Sequence, residues 1–107
     1  MKLLTEELKK KIPPLYSTEE VPIEDKVFVC KFFTPWSNWT WYAVEGQPEE
    51  GGDFLFFGYV DGLDKEWGYF TLRELESVTG PGGLKIERDL HFENVPAKEV
   101  IRNDDCL

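Results

Sequence analysis

Residues 26–33, with the sequence KVFVCKFF, form a run of β-branched and aromatic residues that is apolar at odd and even positions alike. Residues of these types are enriched in β-strands. Because successive side chains of a strand point to opposite faces of a sheet, such a strand has to be covered on both sides. The run therefore predicts a central strand, and the rest of the chain must supply the layers that cover it.

Further strands are predicted on the C-terminal side of this run. A turn at 34–38 leads into residues 39–45, and this short connection favours an antiparallel hairpin. Residues 53–61 (DFLFFGYVD) again predict a strand that is apolar on both faces, and residues 66–70 predict the next one. Residues 15–25 and 46–52 are polar and predict loops.

Three short helical segments complete the pattern. Residues 5–12 carry apolar side chains at four-residue spacing, and their lysines suit the negative end of the helix dipole. Thr71 and Glu74 form a capping box that opens a helix over 71–78, and Pro96 suits the first position of a helical turn over 96–101. We expect an α+β fold in a single domain, 1–107, with a mainly antiparallel sheet of about five strands.

The charge balance bears on possible partners. The chain has 21 acidic and 12 basic residues and a net charge of −9. Nucleic-acid backbones are bound mainly through Lys and Arg, so we expect neither direct nucleic-acid binding nor attachment to an anionic membrane surface. An acidic chain suits a basic protein partner, or can imitate the charge of a nucleic acid.

Motifs for cofactors and catalysis are not found in the sequence. The glycines at 80–83 lack the Lys and Ser/Thr of a phosphate-binding loop, and no Cys and His residues have zinc spacing. Cys30 and Cys106 make no disulfide framework, and no apolar stretch has the length of a signal peptide or membrane span. We therefore expect a cytoplasmic protein without a cofactor, assign no catalytic or metal-binding residue, and favour a non-enzymatic role.

An aromatic cluster around 36–42 is the first candidate binding site. Strand alternation places Trp39 and Trp41 on one face and Tyr42 on the other, with Trp36 in the preceding turn. These rings can fill the core, or they can stack on a ligand or partner. Strand alternation constrains the position of Trp36 least, so we expect it to be the most exposed of them.

Residues 84–92 predict a fifth strand with clean alternation, which carries two further candidates. Glu87, Asp89, His91 and Glu93 would share one face, where carboxylates and an imidazole could hold a divalent metal if other strands supplied ligands. A solvated polar face is the alternative interpretation.

Arg88 interrupts the apolar face of that predicted strand between Ile86 and Leu90. A buried guanidinium must be paired. Its partner is expected to be an internal carboxylate, Glu45 or Asp61, or else an anionic ligand.

Five blocks of the sequence together resemble a bacterial family known as domain of unknown function 2958. The blocks are FFTP at 32–35, SNWTWY at 37–42, DFLFFGYV at 53–60, WGYF at 67–70 and GLKIERDLHF at 83–92, and the pair Leu15-Tyr16 before them belongs to the same resemblance. The resemblance covers nearly the whole chain. It implies a bacterial protein with relatives often carried on plasmids and other mobile elements, and it supplies no reaction, cofactor or site residues.

Three functions follow as hypotheses. Short helices leave apolar sheet surface uncovered, and such a patch marks an interface. This favours a protein-interaction module of a mobile element, binding a protein partner or a second copy through Trp36, Trp39, Trp41, Tyr42 and Arg88. The alternatives are an acidic inhibitor that imitates nucleic acid and blocks a host defence or DNA-binding protein, and a small metal-dependent hydrolase.

Overall fold

The computed structural model of the protein describes residues 1–101 and has the predicted α+β fold. A five-stranded antiparallel sheet lies beside a two-stranded one, with three short helices packed on them. The helices are α1 (Glu6–Lys11), α2 (Leu72–Ser77) and α3 (Ala97–Ile101), and the strands are β1 (Val27–Phe28), β2 (Cys30–Phe33), β3 (Thr40–Pro48), β4 (Phe54–Asp61), β5 (Lys65–Thr71), β6 (Glu87–Arg88) and β7 (Val95–Pro96). The prediction made for Cys106 lies outside the described residues. No helix within residues 1–101 is long and apolar enough to cross a membrane.

The large sheet has the strand order β5-β4-β3-β2-β6, and every neighbouring pair is antiparallel. Residues directly opposite each other in such pairs point to the same face. Phe32, Trp41 and Val60 therefore share one face, which α1 and α2 cover and which we call the α1/α2 face. Tyr59 and Trp67 lie on the opposite face, called the α3 face.

The predicted strand over 26–33 is wrong as a single element, because the chain bends at Val29 into β1 and β2. The Val29 N–H donates to the Ala43 carbonyl at 2.8 Å, next to a β-bulge between Ala43 and Glu45 in β3. Phe28 packs in the cluster on the α3 face, whereas Phe32 packs in the cluster on the α1/α2 face. A regular strand would direct Phe28 and Phe32 to the same face, but the bend places them in two different cores.

The α1/α2 face is covered by short helices whose ends were correctly predicted. The Thr5 hydroxyl accepts a hydrogen bond from the Leu8 N–H at 3.1 Å, which caps α1. Thr71 and Glu74 form the reciprocal capping box at the start of α2. Leu75 of α2 is fully buried in this cluster, with Phe56 among the sheet residues beneath.

The α3 face is covered by β1, β7 and α3. The Ala97 N–H donates to the Lys26 carbonyl at 2.7 Å and ties the start of α3 to the chain just before β1. Phe28 is fully buried between sheet and helix, with its ring centroid 4.9 Å from that of Tyr42 and 5.7 Å from that of Trp67. Burial of an aromatic side chain of this size stabilises the fold by roughly 1.5–3 kcal/mol.

The predicted fifth strand over 84–92 is wrong. Only Glu87 and Arg88 pair as a strand, beside β2. Leu84 and Leu90, expected in the core, are 45% and 62% exposed. The Asp89 carboxylate accepts a hydrogen bond from the His91 N–H at 2.9 Å, and this side-chain cap turns the chain away from the sheet.

Gly58 and Gly68 lie opposite each other in β4 and β5 but meet different surroundings. A Cβ atom on Gly58 would lie 1.8 Å from the Tyr42 carbonyl oxygen, whereas a Cβ atom on Gly68 meets nothing within 4 Å. The close approach of β3 to β4 beside the bulge therefore requires glycine at 58, while β5 has open space at 68.

We predict opposite effects of alanine at these two glycines. Gly58→Ala forces β3 and β4 apart and should lower the free energy of unfolding by about 1–3 kcal/mol. Gly68→Ala removes the entropy cost of glycine in a strand and should raise it by about 0.5–1 kcal/mol. Urea denaturation of both variants checks the pair, and equal stability of the two would contradict the close approach of β3 to β4 at Gly58.

Candidate functional site

The tryptophans predicted as a binding cluster are part of the packing on the α1/α2 face. The rings of Trp39 and Trp41 stack at 5.7 Å, and Trp41 packs against the buried cluster. The Trp39 ring occupies the space where a Cβ atom of Gly62 would lie. These two rings are only half-buried, but each lies against other parts of the same chain.

Trp36, expected to be the most exposed of the four aromatic candidates, is half-buried, as are Trp39, Trp41 and Tyr42. Its ring packs against the buried cluster of the α1/α2 face and fills the space above Gly80. The contact joins residues that lie far apart in the sequence, so strand alternation around 36–42 contained no signal for it.

Tyr42 lies on the opposite face from Trp41, as predicted. Its ring packs between Phe28 and Phe92, with the Lys31 Nζ 5.8 Å from the ring centroid. The aromatic candidates are thus divided between the two faces of the sheet, and they do not form one continuous site.

Arg88 is half-buried at the β6 edge and bonds to the N-terminal segment. Its Nη1 donates to the carbonyl oxygens of Lys2 and Leu3 at 3.1 and 3.0 Å. Among residues 1–101 no carboxylate lies within ion-pair distance of it, so the expected pairing with Glu45 or Asp61 is wrong. Backbone carbonyls satisfy the guanidinium instead.

The polar face predicted for a metal is not formed. The strand ends at Arg88, Asp89 caps a turn, and its carboxylate lies 3.8 Å from the Lys31 Nζ. His91 is exposed beyond that turn. Within the described part of the chain no group of three or more His, Cys, Asp or Glu residues could hold a metal ion.

A different aromatic surface lies on the α3 face, toward the β5 edge of the sheet. The register places Glu45, Phe57 and Tyr69 in one row across β3, β4 and β5. The Phe57 ring centroid lies 5.2 Å from that of Tyr69 and 5.9 Å from that of Trp67. Tyr16 joins them, since its side chain lies close enough to raise the pKa of Tyr69. We call Tyr16, Phe57, Trp67 and Tyr69 the tyrosine surface.

Glu45 fixes Tyr16 in this place. Its side chain is 4% exposed, and Oε1 accepts a hydrogen bond from the Tyr16 N–H at 2.7 Å. Oε2 accepts bonds from the N–H of Thr18, at 2.9 Å, and from its hydroxyl. A carboxylate with three donors is well solvated by the protein, so the buried charge anchors the loop instead of destabilising the sheet.

Lys26 completes a buried polar network around Thr18. The Lys26 Nζ, on a residue 7% exposed, donates to the Thr18 carbonyl at 2.6 Å and contacts the Thr18 hydroxyl at 3.1 Å. Thr18 therefore bridges a buried cation and the buried Glu45 carboxylate, which compensates both charges without direct contact. The bulge in β3 brings Glu45 to this position.

Tyr16 has a left-handed backbone conformation, with φ of 70°. It is the one residue other than glycine with positive φ in the described chain. This conformation costs a non-glycine residue about 1–2 kcal/mol. Because the Glu45 carboxylate accepts the Tyr16 N–H and holds the backbone there, the Tyr16 side chain is kept near Tyr69.

The pKa of the Tyr69 phenol is raised above its ordinary value. Partial desolvation is the largest cause, followed by the hydrogen bond with Tyr16 and by the nearby carboxylates of Glu45 and Glu19. All of these favour the neutral phenol. Tyr69 therefore presents a neutral hydroxyl group close to negative charge.

The comparisons with known proteins assign the family. The model of the family described as a protein of unknown function (DUF2958) matches residues 3–99. The chain belongs to the DUF2958 family. The resemblance drawn from the five sequence blocks is thereby confirmed, and the match includes the whole tyrosine surface. No curated protein and no solved structure matches the chain.

Sequence reasoning missed the tyrosine surface because two of its features depend on tertiary structure. Glu45 ends a predicted strand in the sequence, and only the bulge turns it inward. Tyr16 lies in a predicted loop with no local signal for its conformation. One available signal was the alternation of Trp67 and Tyr69, which places both rings on one face of β5.

We predict that Glu45→Ala lowers the free energy of unfolding by about 2–4 kcal/mol, because the backbone amides of Tyr16 and Thr18 lose their acceptor. Glu20→Ala, at an exposed carboxylate, is the matched control and should change it by less than about 0.5 kcal/mol. Chemical denaturation measures both values. Equal stability of the two variants would show that Glu45 does not anchor the loop.

Proposed function

We propose that the protein is a non-enzymatic protein-interaction module and that the tyrosine surface is its binding site. One observation carries this proposal. Tyr16 and Tyr69 are 58% and 54% exposed, whereas all the other Phe, Tyr and Trp residues, every one of which lies within residues 1–101, are buried or half-buried. Exposed, contiguous aromatic surface is typical of interaction sites.

The chemistry of tyrosine supports this role. A tyrosine contributes a large contact area with little loss of side-chain entropy, and its hydroxyl can bond to polar groups of a partner. The Tyr16 N–H is bonded to the buried Glu45 carboxylate, and the rings of Trp67 and Tyr69 pack on Phe57. The surface is therefore ordered before a partner arrives, which reduces the entropy cost of binding.

The charge around the surface favours a basic partner. The chain carries a net charge of −9, and Glu19, three residues after Tyr16, is close enough to influence the pKa of Tyr69. Complementary charge accelerates association and disfavours wrong partners. The family resemblance implies a bacterial protein associated with mobile elements, so we infer that the partner is a basic bacterial protein.

Imitation of nucleic acid is the second candidate function. It is favoured by four exposed carboxylates in the segment that follows Tyr16, at Glu19, Glu20, Glu24 and Asp25. Such an inhibitor would bind a DNA-binding protein mainly through its acidic residues, and its affinity would fall steeply with salt. The interaction module depends instead on the rings of the tyrosine surface.

We predict that Tyr69→Ser abolishes partner capture without unfolding the protein. The tagged chain and the variants Tyr69→Ser and Leu90→Ser are used for quantitative affinity capture from host lysate. Leu90 is the matched control, since it is 62% exposed and follows β6, the edge strand opposite to β5. Truncating a central interface tyrosine typically costs about 2 kcal/mol, or roughly thirtyfold in affinity.

The partner should be the protein whose capture falls at least about tenfold with Tyr69→Ser and persists with Leu90→Ser. Calorimetry with that purified protein then gives the affinities directly. If Tyr69→Ser captures the same proteins as the unaltered chain, the tyrosine surface is not the binding site. A partner lost instead on replacing Glu19 and Glu20 by glutamine, with Tyr69→Ser unaffected, would favour the nucleic-acid mimic.

A further inference from the structure

The two edge strands of the large sheet, β6 and β5, differ in length and in whether another part of the chain lies against them. β6 has two residues, and the N-terminal segment lies against it through the contact of the Arg88 N–H with the Met1 Sδ at 3.1 Å. The Arg88 guanidinium binds the next carbonyls of the same segment. The β6 edge is thus short and covered, as is usual for edges that must not pair with other chains.

β5 forms a long and regular edge at the other side of the sheet. Its seven residues pair with β4 in continuous register from Leu55↔Thr71 to Asp61↔Lys65. Among residues 1–101, β4 is the one strand that pairs with β5. The outer side of β5 therefore presents backbone donors and acceptors with no strand beside them in the described structure.

The features that usually protect an edge strand are absent from the described β5. Proline, bulges and central lysines prevent such a strand from pairing with another chain. β5 contains no proline and no register shift, and its lysine, Lys65, lies at the end. At its centre, Gly68 has open space where a side chain would be. An unprotected edge of this length suits the addition of another strand.

The tyrosine surface continues to this edge. Trp67 and Tyr69 belong to β5 itself and point to the α3 face, where Phe57 of β4 supports both rings. Side chains of a strand added to β5 would alternate between the two faces. Those on the α3 face would lie directly beside Trp67 and Tyr69.

We propose that the partner binds as an extended, positively charged segment that adds to the sheet as a strand beside β5. This inference rests on the proposed function and names the form of the bound segment. Main-chain hydrogen bonds to β5 supply affinity, while alternate side chains contact the tyrosine surface and supply specificity. Arg or Lys side chains of the segment lie over the Trp67 and Tyr69 rings, on the side where Glu19 acts on Tyr69.

Charge decides between a basic segment and a second copy of the same chain. Two copies would each bring a net charge of −9 to the interface, and Glu66 of one β5 would approach the acidic surface of the other. A basic segment instead neutralises this charge, since opposite potentials across an interface favour association. The occupant is therefore assigned to another protein.

The test uses peptides of the same length as β5, acetylated and amidated, with the full-length protein labelled by ¹⁵N. The probe is Arg-Val-Arg-Val-Arg-Val-Arg. One control replaces every Arg by Glu, and a second is N-methylated at three consecutive central residues, which removes backbone donors from both edges of the peptide. Amide spectra during titration give affinities and the position of binding, and Tyr69→Ser and Leu90→Ser proteins are titrated in parallel.

The inference expects amide shifts concentrated in β5 and at Tyr16. It also expects binding at least about tenfold weaker for the Glu peptide and for the N-methylated peptide. With the Arg peptide, Tyr69→Ser should weaken binding at least about tenfold and Leu90→Ser less than about twofold. Together these results distinguish strand addition from adhesion of a basic peptide to an acidic protein.

Three results would overturn the inference. If the N-methylated peptide binds as tightly as the parent while Tyr69→Ser weakens both, the proposed function stands and strand addition is wrong. If the Arg peptide does not bind at millimolar concentration, or binds equally well to Tyr69→Ser, strand addition at β5 is wrong. The proposed function is then tested by the capture experiment alone. If sedimentation shows dimers that protect β5 amides from exchange, the occupant is a second copy.

Discussion

The structure depends on one constraint, which is that the central strands are apolar on both faces and so need cover on both. Three helices of five or six residues cannot cover a five-stranded sheet twice. The bend at Val29 and the bulge after Ala43 meet much of this need, because they send Phe28 to one core and Phe32 to the other. The same bulge directs Glu45 inward, where its carboxylate holds the preceding loop against the sheet.

The sheet is least covered near β5, and the proposed binding site lies there. Phe57 and Trp67 are half-buried at that side of the sheet, and Glu45 holds Tyr16 near Tyr69 in a strained conformation. Strain of this kind persists only where the surrounding structure imposes it, and it is commonly found at functional positions. A surface of exposed tyrosines in an acidic protein, next to an unprotected strand edge, is suited to a basic extended partner.

Much of the fold could be predicted from local patterns, whereas most of the candidate site could not. The capping residues Thr5 and Thr71 and the apolar run 53–61 act through near neighbours, so sequence alone located those elements. Residues 84–92 alternate like a strand, but the turn capped by Asp89 takes them off the sheet. Tyr16 and Trp36 are positioned by contacts with distant residues, which periodicity does not encode.

The central claim is that cover of the sheet fails at β5 and leaves two tyrosines at the surface. Photochemically induced nuclear polarisation with a flavin dye tests this directly, because the dye polarises only those Tyr, Trp and His side chains that it can reach. The account predicts strong tyrosine signals that disappear with Tyr16→Phe and Tyr69→Phe, and no signal from Tyr59, which is 4% exposed. Strong polarisation of Trp36 and Trp41 with both surface tyrosines silent would contradict it.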